Sequence, residues 1–68
     1  MKITREFTEN EIIILKSIAD GKNDEVIAEI LNAPIQTVRY WIAKLFSTFN
    51  ADNRAHLAAL AIRNKVIK

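Results

Sequence analysis

Between Pro34 and Phe49, Gln36, Arg39, Tyr40, Ala43 and Ser47 recur at helical spacing, with Thr37 and Lys44 at the edges of the same face. Read as one helix, the segment sets this polar strip against Val38, Trp41, Ile42, Leu45, Phe46 and Phe49. A narrow line of long hydrogen-bonding side chains, backed by a bulky apolar side, suits entry into a DNA major groove. The same pattern fits an ordinary amphipathic core helix, and taken alone the segment favours that reading.

Other chemistries find little material. The 68 residues contain no cysteine, so neither a disulfide framework nor a thiolate metal site can form. His56 is the one histidine, and with so few partners in sight it cannot assemble a metal site. Without a phosphate-cradling loop or a paired acid and base, the chain reads as a binding module and not as an enzyme. No cofactor, metal or small-molecule ligand is expected. No apolar run approaches the roughly 20 residues that cross a bilayer, and the start Met-Lys-Ile-Thr-Arg-Glu-Phe has no long apolar stretch. The expected location is the cytoplasm, with no membrane partner.

Charge is unevenly distributed. Residues 1–32 hold four Lys/Arg against seven Asp/Glu, a net −3, and residues 33–68 hold six against one, a net +5. The basic half contains the proposed groove helix and suits a polyanion, with the acidic half expected to face away.

A single domain, 1–68, with helices at about 8–20, 24–31, 34–49 and 53–65, would position the strip. After a lead-in of residues 1–7, Thr8-Glu9-Asn10-Glu11 is a capping box that opens the first helix. Ile14, Leu15, Ile18 and Ala19 are expected inward, Ile13 outward, and Gly21 as the stop. Glu11 falls inside the apolar stripe, so its carboxylate needs a further partner, expected to be an arginine. Asn23 caps a second, short helix with Asp24 and Glu25 at its positive end and Ile27, Ala28, Ile30 and Leu31 inward. Pro34 forces that helix to end and the next to begin at once, which makes a helix-turn-helix.

Asn53 or Asp52 then caps a last helix with two apolar stripes. Leu57, Leu60 and Ala61 would close the core. Ala55, Ala59, Ile62 and Val66 lie on the other side, where one small domain cannot bury them, so they form a candidate dimer seam.

From Phe7 to Ile67 the sequence resembles the LuxR/GerE-type DNA-binding domain, an all-α four-helix helix-turn-helix bundle. The resemblance rests on an ordered set: Phe7-Thr8, Glu11, Leu15, Ile18-Ala19, Gly21, Ile27-Ala28, Leu31, Thr37-Val38-Arg39, Asn53-Arg54, Ala61 and Val66-Ile67. Several positions depart from the family's habit. Asn10 stands for arginine, Asp24 for asparagine, Pro34 for a capping serine, Trp41 for histidine, Thr48 for lysine and Lys65 for glycine.

The resemblance implies a sequence-specific transcriptional regulator of bacterial or phage type, a DNA-binding module binding an inverted repeat of double-stranded DNA as a homodimer. It places Thr37 and Arg39 at the DNA surface, Arg39 and Tyr40 on base edges, and Gln36 and Ala43 beside them. Lys44, Lys22 and Asn23 become candidates for phosphate contacts. Arg54 is read as the structural partner of Glu11 in preference to a phosphate contact, and Trp41 as core. Since no receiver or ligand-binding domain is present, control would come from expression, from a partner or from a longer protein. The competing expectation is a fold-retaining interaction module that heterodimerises with a related regulator through the Ala55/Ile62 seam and antagonises it.

Overall fold

Local chemistry starts and stops every helix. The computed structural model describes residues 5–68, so the first four residues of the lead-in lie outside the described residues. Four α-helices follow: α1 (Glu9–Ala19), α2 (Asp24–Leu31), α3 (Ile35–Phe49) and α4 (Arg54–Arg63). At α1 the capping box is complete: the Glu11 amide donates to Thr8 Oγ1 at 3.2 Å and the Thr8 amide donates to Glu11 Oε1 at 2.9 Å. Asn23 caps α2 by accepting from the Val26 amide at 2.9 Å, and Asn53 caps α4 by accepting from the His56 amide at 2.8 Å. Pro34 leaves α3 without a side-chain cap.

The helix ends use left-handed backbone. Gly21 follows α1 with φ +80°, in a place where an added Cβ would meet nothing, so the backbone angle alone selects glycine there. Asn32, Asn50 and Lys65 take φ of 50°, 53° and 60° after α2, α3 and α4. Asparagine tolerates this region better than most residues. Lys65 does so where the family pattern has glycine, and its turn lets the Val66 amide donate to the Ala61 carbonyl at 2.9 Å.

Ile14, Leu15, Ile18, Ile27, Val38, Ile42, Leu45, Phe49, Leu57, Ala61 and Ile67 form one buried cluster drawn from all four helices and the final turn. The most extensive helix pairing is α1 with α4. Phe7 extends the cluster by stacking on Phe49, with ring centroids 5.5 Å apart. Trp41 and Phe46 pack half-buried against the cluster, as do Ala28, Leu31 and Leu60.

Three details differ from the sequence expectation. Ala19 and Ile30, expected inward, are exposed, because each sits at the edge of its stripe near a helix end, where no neighbouring element covers it. Ser17 is buried instead, its hydroxyl donating to the Ile13 carbonyl at 2.7 Å, and Ile13 is half-buried where full exposure was expected. α4 ends at Arg63, so Val66 lies beyond the helix and packs half-buried against the core.

The carboxylate of Glu11 does find an arginine, but it is Arg5. The two form a forked pair, Arg5 Nη2 donating to Oε2 at 2.7 Å and Nη1 to Oε1 at 3.2 Å. Arg5 also lies over the Phe7 ring, 4.2 Å from its centroid, which ties the lead-in to the core. The Arg5 hydrogen bond, joined by the Thr8 amide and opposed by burial, holds the Glu11 carboxyl below its usual value of 4.5. A depressed folded value means stability that is complete above pH 4.5 and lost as the pH falls through the lower folded value. The stability difference between the wild type and Glu11→Gln, read by urea denaturation across a pH series, should therefore be largest near neutrality and shrink below pH 4.5.

Candidate nucleic-acid interface

The apolar edge of α3 decides what its other edge can do. Val38, Ile42, Leu45 and Phe49 are buried, which turns Gln36, Arg39, Tyr40, Ala43, Lys44 and Ser47 to the outside, with Thr37 half-buried beside them. Tyr40 is 60% exposed, unusually open for a large aromatic side chain. The Lys44 ammonium lies 5.5 Å from the Tyr40 ring centroid, a cation resting on a ring one turn away along the helix. The face thus brings together a guanidinium, an ammonium, a carboxamide and a phenol on a rigid support.

Arg39 connects this face to the rest of the molecule. Its Nε is 3.5 Å from Asp24 Oδ2, at the first position of α2. The other carboxylate oxygen of Asp24 accepts from Arg54 Nη1 at 2.7 Å, and Arg54 Nη2 donates to the Lys22 carbonyl at 2.9 Å. The expected Arg54–Glu11 pair is therefore not formed. The start of α4 faces the α1–α2 turn, and the carboxylate within reach of Arg54 is that of Asp24. Arg54 does act structurally, but with a different partner.

The expected separation of an acidic half from the basic surface is likewise incomplete, since Asp24 sits between Arg39 and Arg54. These residues, with Gly21, Lys22, Asn23 and Glu25, line an open cavity of about 410 Å³ beside the start of α3. Lys22 is half-buried there, and Asn23 is exposed with its carboxamide oxygen engaged in the α2 cap. Sequence reasoning did not find Asp24 as part of this surface. Its only local signal was an acidic residue in the first turn of a helix, which has a sufficient explanation in the helix dipole.

The seam residues divide. Ala55, Ala59 and Ile62 are exposed on α4, Ile62 by 48%, and with Ile18, Ala19 and Ala58 they line a second concavity. Val66 stands apart from them, past the Lys65 turn and against the core. Among the described residues no acidic, histidine or cysteine cluster could hold a metal, and no helix is long and apolar enough to cross a membrane.

The family profile described as "Bacterial regulatory proteins, luxR family" matches residues 5–61. The chain belongs to this family. LuxR-type regulators from several bacteria are similar to it. The transcriptional activator protein TraR of Rhizobium radiobacter is 39% identical over 57 residues, 84% of this chain and 24% of that protein. The TraR protein of Agrobacterium vitis is 37% identical over the same lengths. A transcriptional regulatory protein of Bacillus subtilis strain 168, YxjL, is 30% identical over 67 residues, 98% of this chain and 31% of that protein. The chain thus spans under a third of the relatives it matches. The LuxR family is one of transcription regulators and not of enzymes.

The Arg54 contacts predict their own cost. Arg54→Ala removes the closer of the two arginines from the half-buried Asp24 carboxylate and the donor from the Lys22 carbonyl, and with partial solvent screening should lower stability by about 1–2 kcal/mol. Arg54→Lys, which keeps the charge and loses the fork, should recover part of that in the same denaturation assay.

Proposed function

We propose that this LuxR-type domain is a sequence-specific DNA-binding module of a transcription regulator, with α3 entering the major groove. The observation that carries the reading is the division of α3, whose apolar edge is buried while Gln36, Arg39, Tyr40, Ala43 and Lys44 stand exposed. Arg39 and Tyr40 are assigned to base edges, with Gln36 and Ala43 beside them. An arginine can donate two parallel hydrogen bonds to guanine N7 and O6, and such a pair discriminates by about 1–3 kcal/mol. Thr37, Lys44, Lys22 and Asn23 are assigned to the phosphate backbone, where they supply affinity and register without sequence information.

We propose further that two copies bind an inverted repeat, pairing through Ala55, Ala59 and Ile62. Small side chains there allow α4 helices to approach closely, and the exposed Ile62 supplies apolar area. Val66 is not part of this seam, since it packs on its own core. Two-fold related α3 helices would meet half-sites about 34 Å apart.

Selection from a pool of random duplexes at near-physiological salt tests the reading. Enrichment of an inverted repeat is the expected result. Enrichment of nothing, with tight capture of another helix-turn-helix protein, would replace it with the antagonist module. On the selected site, Arg39→Ala should relax preference at one base pair in each half-site. Lys44→Ala should weaken all sequences alike and reduce the slope of log affinity against log salt by about 1. Ile62→Glu should leave a folded monomer, and sedimentation showing an unchanged dimer would exclude this seam.

A further inference from the structure

We infer that Asp24 is a positioning residue for base selection, holding the Arg39 guanidinium by its Nε so that the terminal nitrogens face the groove. The inference rests on the DNA-reading role proposed above. Arg39 is long and largely exposed, with 61% of its side chain accessible, and an unconstrained arginine must give up rotamer freedom to make a forked contact. Among the described residues Asp24 is the one group paired with Arg39, an ion pair whose nearest approach is to Nε, at 3.5 Å. An approach at Nε leaves Nη1 and Nη2, two donors set in parallel, for guanine N7 and O6.

Asp24 can act this way because it is itself fixed. Its backbone begins α2, directly after the Asn23 cap, and its second carboxylate oxygen is held by Arg54 at 2.7 Å. Arg54 in turn is anchored by the Lys22 carbonyl at 2.9 Å. The start of α4, the α1–α2 turn and the start of α2 therefore converge on one carboxylate, and that carboxylate orients one side chain of α3. A neutral asparagine in place of Asp24 keeps the size and removes the ion pair on both sides.

The carboxylate also has an opposing effect. Placed at the rim of a DNA-facing surface, its charge repels phosphate whatever the base sequence, and Arg54 offsets this only in part. Asp24 thus raises discrimination while lowering sequence-independent affinity. A purely structural residue would lower both together when replaced.

The test uses the 68-residue chain and three duplexes: the selected site, the same site with its Arg39-dependent guanine replaced, and an unrelated sequence. Asp24→Asn should reduce the affinity ratio between the first two by about 3- to 10-fold, while the unrelated duplex binds as well or better. Asp24→Glu keeps the charge but displaces it by one methylene, so it should reduce the same ratio and leave the unrelated duplex unchanged. In an Arg39→Ala background neither substitution should alter the ratio further. Thermal melting separates a folding defect from lost positioning, and Asp24→Glu carries the test if the asparagine variant is unstable. An unchanged ratio in a folded variant that still depends on Arg39 would overturn the inference, as would an equal loss in the Arg39→Ala background. A wild-type chain that selects no sequence would instead remove the DNA-reading role itself, before any Asp24 variant is measured.

Discussion

A helix that keeps one side exposed must be held from the other, and a chain this short has little interior with which to hold it. Val38, Ile42, Leu45 and Phe49 provide that hold on α3, and each is at most 6% exposed. Around them the remaining helices supply complementary surface, mainly Ile14, Leu15 and Ile18 from α1 and Leu57 and Ala61 from α4. A domain near this size buries only about 60% of the surface its unfolded chain exposes, so no helix can be spared from the core. The outward strip of α3 is a direct consequence of that economy of buried positions.

Polar groups finish what packing begins. Each of α1, α2 and α4 opens on a side chain that accepts from a backbone amide, and each helix ends on a residue or turn that redirects the chain at once. Two arginine–carboxylate systems among the described residues do different work. Arg5 with Glu11 fastens the lead-in to the capping box, whereas Arg54 with Asp24 spans the start of α4 and the start of α2 and reaches Arg39 beyond them.

What could be read in the sequence was what short-range rules govern. Thr8, Asn23, Gly21, Pro34 and Asn53 act within three or four residues of where they stand, so the helices and the turn between α2 and α3 were legible, and with them the exposed strip on α3. Ala19 and Ile30 were misplaced because periodicity gives an angle around a helix axis and not the location of neighbouring helices. Ser17 gave no sign of burial, since its hydroxyl is satisfied by its own helix. The partner of Arg54 was illegible for a related reason: it lies 30 residues away and is selected by how α4 approaches the α1–α2 turn. The sequence pattern carries α4 to about residue 65, past its end at Arg63, because lysine rarely signals a left-handed turn and Lys65 makes one.

The pairing of α1 with α4 has a consequence in time as well as in space. These are the helices furthest apart along the chain, and they share the most extensive contact. During synthesis, α1, α2 and α3 are all complete while one wall of the core is still missing, and short isolated helices are marginal in water. The strip on α3 therefore acquires its fixed presentation only when the last helix and Ile67 arrive. A chain interrupted late in translation would carry every residue of the α3 strip and still lack the fixed surface that presents it.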